Sequence, residues 1–235
     1  MENNLIERQA RLRKTNEVMF WVTLVLGIVD VAWLILSGGH TAVEVIFRGL
    51  QFVAMLLVLK LPDIMRIRLK VELPIELSAM IVVFCFVSLV LGDGLDFYGR
   101  FPWWDSVLHG FSGLILSMVA LWLIHVIMAK NDKYIYFNKY FLCLFLVMFS
   151  LGMGALWEIM EYLSDSILGT NSQQFMLTTT GSIITPEDEP LCGHAALHDT
   201  MKDLMFDFGG ALLVAIYGFI RHDQILARYQ AALHP

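Results

Sequence analysis

The sequence has few charged residues, and no long polar segment separates its apolar stretches. Only 16% of its 235 residues are charged, and it contains six prolines and three cysteines, whereas 57% of the residues are hydrophobic. The hydrophobic share exceeds the roughly 45–50% that is usual for soluble domains, which indicates a membrane protein. Because no long polar block interrupts the apolar segments, we predict a single transmembrane domain over residues 1–235.

Charge and cysteine content argue against two other classes of protein. The net charge is -6, and no clustered basic face of the kind that binds nucleic acid is evident. Cys85 and Cys143 lie inside apolar runs and Cys192 lies in a polar segment, so an extracytoplasmic disulfide framework is not indicated. The basic segment 1–18 resembles the start of a signal peptide. The apolar run after it is too long and lacks a small-residue cleavage site, which favours an uncleaved anchor.

Six apolar segments are long enough to cross a bilayer as helices. A transmembrane helix needs about 20 mostly apolar residues. The predicted spans are 19–37, 44–61, 75–92, 106–128, 140–162 and 200–220. The sequence therefore predicts an all-α, polytopic transmembrane bundle with about six spans.

The basic residues predict how this bundle is oriented. Thirteen of the sixteen Lys and Arg lie in the segments on one side of the membrane: before span one, between spans two and three, between spans four and five, and after span six. Only Arg48, Arg100 and Lys202 lie elsewhere. Positive charge marks the cytoplasmic side. We therefore expect a multi-pass protein of the cell (inner) membrane with both termini in the cytoplasm. The long connection 163–198, which has no Lys or Arg, is then an extracytoplasmic loop.

Ionisable residues gather at the outer ends of the last three predicted spans. They are Asp105 and His109 on span four, Glu158 and Glu161 on span five, and Asp199, Asp203 and Asp207 on span six. Spacings of three or four residues place each set on one helix face. Spans four and six enter from outside and span five leaves there, so all three sets reach one level. Unpaired carboxylates at that depth are costly and repel one another, and a divalent cation is the simplest remedy.

Oxygen-rich ligands with an imidazole favour Zn, Mn, Fe or Mg. The predicted metal ligands are Asp105, His109, Glu158, Asp203 and Asp207. Glu161 or Asp199 is the predicted catalytic base toward a water on the metal. The Glu-x-x-His motif of di-iron bundles and the His-Glu-x-x-His motif of zinc proteases are both absent.

A second interpretation of these acids is purely structural. Asp105 and Asp199 suit the N-terminal ends of helices, where the helix dipole favours negative charge. Glu158 and Glu161 do not fit it, because they lie at the negative end of their helix.

Three other groups of residues allow either a functional or an ordinary structural role. Cys192, His194 and His198 add ligands, form a lid or belong to a plain polar loop, and Asp93 and Asp96 either join the site or form a solvated turn. Asp30 and Arg48 are expected to form a buried ion pair between the first two spans.

Several ordered motifs resemble one family of membrane proteins. They are Leu61-Pro62 to Leu73-Pro74, the Asp93–Tyr98 turn, Trp104-Asp105-x3-His109-x2-Ser112-Gly113, Trp157-Glu158-x2-Glu161 and Asp199-Thr200-x2-Asp203-Leu204. Over roughly residues 60–215 the chain resembles the YjdF-like bacterial inner-membrane proteins, whose function is unassigned, and it is loosely similar to the VanZ-like membrane proteins. The resemblance implies a membrane fold and points to the same acidic residues without naming a reaction.

Three functions fit the sequence. The leading hypothesis is a metal-dependent hydrolase or transferase that acts on a lipid-linked or envelope substrate at the outer leaflet. The second is a cation- or proton-coupled transporter, for which acids should continue toward the cytoplasmic half, where few are found. The third is a structural or sensory membrane subunit. The lipid bilayer is the expected partner, and the sequence does not indicate an oligomeric state.

Overall fold

The computed structural model describes most of the chain. Its backbone is described over residues 2–38, 42–64, 67–68, 73–95, 97–130, 138–177, 184 and 186–233. Within these ranges only the backbone is described at 2–9, 11–13, 43–44, 47, 61–62, 93–94, 128–130 and 228–233. The predicted roles of Asp93 and Asp96 therefore fall outside the described side chains.

The fold is all-helical over the described ranges. The helices are α1 (Glu2–Ser37), α2 (Ala42–Ile64), α3 (Ile75–Cys85), α4 (Phe97–Arg100), α5 (Trp104–Lys130), α6 (Lys139–Leu168), α7 (Ala195–Ile220) and α8 (His222–Leu233). A π-helical segment, Phe86–Gly94, continues α3. This confirms the predicted class, a polytopic helical membrane bundle.

Within the described residues, five stretches of helix are long and apolar enough to cross a membrane. They are Lys14–Ser37, Ile75–Gly92, Trp104–Ile127, Lys139–Leu168 and Ala195–Ile220, and each overlaps one predicted span. The remaining predicted span, 44–61, falls on α2, where several side chains lie outside the described residues, and it is not among the five.

The chain divides into two compact units, Met1–Phe101 and Pro102–Pro235. In the first unit, α1 and α2 pack closely because Gly27 has no side chain where the ring of Phe52 lies. The predicted pairing is confirmed, since Arg48 Nε lies 3.4 Å from Asp30 Oδ2, but the two side chains are 23% and 27% exposed rather than buried.

The second unit is a bundle of α5, α6 and α7, and each of the three helices packs against the other two. Its apolar core consists of Ala120, Ile124, Leu142, Leu146, Val214 and Ala215. Hydroxyl groups bond across the helices: Ser117 Oγ donates to the Leu146 carbonyl at 3.1 Å, and Ser150 Oγ donates to the Gly113 carbonyl at 3.0 Å. Small and hydroxyl-bearing residues are the usual means of joining helices in a membrane.

Glycines bring α5 and α7 into backbone contact. A side chain at Gly113 would collide with the backbone of Asp207, and one at Gly210 would collide with the Gly110 carbonyl. Gly154 on α6 is equally constrained, because a Cβ there would overlap the Asp207 carboxylate. These three positions set the spacing of the helices that carry the acidic residues.

The connection between α6 and α7 is shorter than predicted. The predicted loop 163–198 is wrong at both ends, since α6 continues to Leu168 and α7 begins at Ala195. Gly169 ends α6 because it adopts the left-handed conformation, with φ of 69°, and its N–H donates to the Asp165 carbonyl at 3.2 Å. Within the loop, an isolated antiparallel bridge joins Met176 to Pro190.

Candidate metal centre

The predicted site residues converge where α5 and α7 begin and α6 ends. His109 occupies the second turn of α5 and is 8% exposed. Glu158 lies in the C-terminal half of α6, and Asp203 and Asp207 lie on successive turns of α7. These three acids are 5%, 2% and 0% exposed. Antiparallel packing of α6 against the other two helices thus produces the convergence that the topology predicted.

One nitrogen of His109 is held by an acid on α7. Nδ1 lies 3.2 Å from Asp207 Oδ2, and the Ser112 hydroxyl contacts the other oxygen of Asp207. A carboxylate can only accept a hydrogen bond, so Nδ1 donates here. In the neutral ring, Nε2 then carries the lone pair, and the imidazole is oriented for metal binding on that side.

The opposite nitrogen of His109 faces two carboxylates that it does not bond. Nε2 lies 3.7 Å from Asp105 Oδ1 and 3.9 Å from Glu158 Oε1, which is too long for hydrogen bonds. Ligand atoms that sit about 2.1 Å from a common ion are at most about 4.2 Å apart. Both separations therefore fit atoms arranged around one cation.

Asp203 belongs to the same cluster. Its carboxylate, Asp105 and His109 each offer a ligand atom, and these three atoms lie within 4.8 Å of one another, a group that does not include Glu158 or Asp207. Asp105 and Asp203 are also within hydrogen-bonding reach of each other. Among the described residues, neither Asp203 Oδ1 nor Glu158 Oε1 has a hydrogen-bond partner, although both atoms are buried. Buried, unpaired oxygens of this kind are costly unless they bind something.

Among the described residues in the outer turns of α5, α6 and α7, the one Lys or Arg side chain is that of Lys202. Its Nζ lies 2.6 Å from Asp199 Oδ1, so these two charges balance each other at the rim. Four acids, Asp105, Glu158, Asp203 and Asp207, then surround a single imidazole. The arrangement attracts cations.

The two predicted catalytic bases each have a hydrogen-bond donor close to them in sequence. Glu161 Oε1 accepts a 2.8 Å hydrogen bond from the Trp157 indole, and Asp199 pairs with Lys202. Asp207, a predicted ligand, contacts Nδ1 rather than the side of the ring where Asp105 and Glu158 lie. Its placement suits a residue that orients His109.

The loop candidates do not join the cluster. Cys192, His194 and His198 are all exposed, and the group of potential ligands found among the described residues does not include them. Asp199 also differs from its predicted place at a helix terminus, because α7 begins four residues earlier, at Ala195.

Sequence reasoning missed the small and uncharged residues that shape the site. Ser112 and Gly154 lie against Asp207, and the Thr200 hydroxyl lies within hydrogen-bonding reach of Glu158. A signal existed for Gly154, since small residues mark close helix contacts in membranes. Thr200 and Ser112 carried no signal beyond their place in the motifs.

Fold and site together describe a polytopic helical membrane protein with a buried carboxylate–histidine cluster. Residues 6–224 match the family model described as "Predicted membrane protein (DUF2238)", and the chain belongs to this family. It is similar to an uncharacterized protein of Thermotoga maritima, with 29% identity over 146 residues. That alignment covers 61% of this chain and 62% of the relative's length. No solved structure matches the chain.

Proposed function

We propose that this protein is a divalent-metal-dependent membrane enzyme, a hydrolase or transferase whose substrate is lipid-linked or part of the cell envelope. The observation that supports it most is the Nε2 side of His109, where Asp105 and Glu158 lie at 3.7 and 3.9 Å without hydrogen bonds. A second support is that, among the described residues, the buried oxygens Glu158 Oε1 and Asp203 Oδ1 have no hydrogen-bond partner. Capping of helix ends explains neither feature.

In this proposal the metal ligands are His109, Asp105, Glu158 and Asp203, and Asp207 orients the imidazole. One nitrogen and three carboxylates suit Zn, Mn or Fe, and Mg is compatible with the oxygens. A cation bound there would supply Lewis-acid chemistry toward a phosphoryl or carbonyl oxygen and would lower the pKa of a bound water molecule. Glu161 or Asp199 would accept a proton through the carboxylate oxygen that does not bond Trp157 or Lys202.

The proposed substrate class follows from location. The site lies near the ends of helices that span the membrane, and Trp103 and Trp157, which flank it in sequence, are 55% and 51% exposed. Exposed tryptophans are typical of the bilayer interface. The distribution of Lys and Arg in the sequence supports our assignment of this interface to the extracytoplasmic side. The resemblance of the sequence to the YjdF-like and VanZ-like membrane proteins is also part of what we propose.

Metal analysis tests the first half of the proposal. The purified full chain is loaded with Mn²⁺ or Zn²⁺, desalted and measured by elemental analysis beside Asp105→Asn and Glu158→Gln. We expect about one ion per chain in the wild type and a substoichiometric amount in both variants. Glu187→Gln, which changes an exposed acid of the loop, is the control and should retain the wild-type content. Near-zero metal in every protein would overturn the metal site.

A turnover assay tests the second half. The loaded protein is reconstituted in vesicles that contain phosphatidylglycerol and a polyprenyl diphosphate, and released products are followed by phosphorus NMR. Metal-dependent product release that is lost in Glu161→Gln or Asp199→Asn supports the enzyme. Uptake of the ion into the vesicles without product release would instead identify a carrier.

A further inference from the structure

The loop after α6 begins with a turn that is tied to the helix by one buried acid. Asp165, 7% exposed, accepts hydrogen bonds from the Thr170 hydroxyl at 2.6 Å and from the backbone N–H groups of Ser172 and Gln173 at 2.7 and 3.0 Å. A carboxylate that receives three donors is strongly held. The backbone of Gln173 is thus fixed to the end of α6.

The side chain of Gln173 reaches α7. Its Nε2 donates to Thr200 Oγ1 at 3.1 Å. The Thr200 hydroxyl in turn lies within hydrogen-bonding reach of the Glu158 carboxylate. A hydroxyl group can accept one bond and donate another, so Thr200 can receive the Gln173 amide while it donates to the Glu158 carboxylate.

This chain of contacts controls one oxygen of Glu158. Oε1 has no hydrogen-bond partner among the described residues, so a bond from Thr200 would reach the other oxygen. Oε1 is then left facing His109 Nε2 at 3.9 Å. One oxygen is anchored and the other is free toward the cation site.

We propose that Gln173 is a positioning residue of the metal centre, which acts through Thr200 to hold Glu158 as a ligand. The proposal rests on the metal site proposed above. It makes the turn 169–174 a structural part of that site, although the sequence of this turn offers no ligand or charge that would signal the role.

Cobalt provides a probe that reports both affinity and coordination. The full chain in nanodiscs is titrated with Co²⁺, and the visible absorption of the bound ion is recorded for Gln173→Ala, Thr200→Val and the double variant. Gln174→Ala makes the same truncation one residue later and is the matched control. Thr200→Ser keeps the hydroxyl group and is the rescue variant.

We expect Gln173→Ala and Thr200→Val each to raise the Kd for Co²⁺ about tenfold, the lower end of the effects seen when ligand-orienting contacts are lost. Their spectra at saturation should shift in the direction of the Glu158→Gln spectrum, because that carboxylate is no longer held. The double variant should bind no more weakly than either single variant, since the two residues act in series. Thr200→Ser and Gln174→Ala should match the wild type.

Two outcomes overturn the proposal in distinguishable ways. If wild-type protein binds Co²⁺ and Gln173→Ala gives the same Kd and spectrum as Gln174→Ala, the positioning role is wrong and the metal site stands. If wild-type protein binds no Co²⁺, the metal site and the positioning role are both wrong. A lower melting temperature without a spectral shift would mean that Gln173 only stabilises the loop, which also contradicts the proposal.

Discussion

Asp207 and His109 form a buried hydrogen bond between α7 and α5, with Oδ2 3.2 Å from Nδ1. The bond fixes which nitrogen of the imidazole is available to a metal. Asp105 and Glu158 lie at the other nitrogen, so the ring separates Asp207 from two acids that we propose as metal ligands.

The first prediction concerns this orienting contact. Asp207→Asn should weaken binding of Mn²⁺ or Zn²⁺ by about 10- to 100-fold, because the ring loses its charged partner while all ligands remain. Calorimetric titration of the purified protein measures the effect. Asp223→Asn changes an exposed acid on α8 and should leave the affinity as it is. Equal affinities in the two variants would contradict the orienting role.

A second prediction concerns the cation at the rim. Lys202→Met should tighten metal binding, because it removes a positive charge near the site and leaves the Asp199 carboxylate unpaired. The same titration should give a lower Kd, with the largest difference at low ionic strength, where screening is weakest. Arg221→Met, which changes an exposed basic residue at the other end of α7, serves as the control. Weaker binding in Lys202→Met would show that Lys202 supports the site.

The third prediction tests the space that α6 leaves for Asp207. Gly154→Ala places a methyl group against the Asp207 carboxylate, so it should displace that acid and lower metal affinity. Gly152→Ala is the matched control on the same helix, because nothing lies within 4 Å of the added carbon. If both variants bind metal like the wild type, Asp207 is free to move and its present position does not define the site.

The fourth prediction tests the contact between α5 and α7. Gly210→Ala should lower the free energy of unfolding by about 1–3 kcal/mol, because the new side chain would overlap the Gly110 carbonyl and push the helices apart. Gly209→Ala, one residue earlier, meets nothing within 4 Å and should change stability little. Unfolding in mixed micelles with increasing SDS measures both. A Gly210→Ala variant as stable as Gly209→Ala would mean that the helices are farther apart.

The fifth prediction concerns metal removal. Since a ligand that binds only the folded state stabilises it, metal at a hundred times its Kd should add about 2.7 kcal/mol. Treatment with a chelator should therefore lower the melting temperature of the wild type, and Mn²⁺ or Zn²⁺ should restore it. Asp105→Asn should respond much less to either treatment. An identical response in Asp105→Asn would place the stabilising ion at another position.

Much of the membrane topology could be predicted because it depends on local composition. Five predicted spans coincide with long apolar helices, since a run of apolar residues is sufficient to define such a helix. The ends were less accurate. Asp165 looked like part of a polar loop, yet it lies inside α6, because the helix ends only where Gly169 adopts a left-handed conformation.

The roles of these residues in metal binding stay predictions, but the structure distinguishes the acids near His109 from the two predicted bases. Asp105, His109 and Asp203 lie together, and Glu158 lies beside His109. Glu161 and Asp199 differ, because each is bound to a donor close to it in sequence, Trp157 and Lys202. Spacing alone could not show this, since it fixes the face of a helix but not the rotamer or the partner.

The sequence by itself determined that the protein lies in a membrane and that its acidic residues are concentrated at one end of three helices. Both follow from properties that run along the chain, hydrophobicity and helical spacing. Only the tertiary structure decided that Asp207 binds one side of His109 while Asp105 and Glu158 face the other. It also brought Gln173 to Thr200. These relations depend on how closely glycines allow the helices to approach and on contacts between residues as far as 98 positions apart in the chain, which local sequence patterns do not encode.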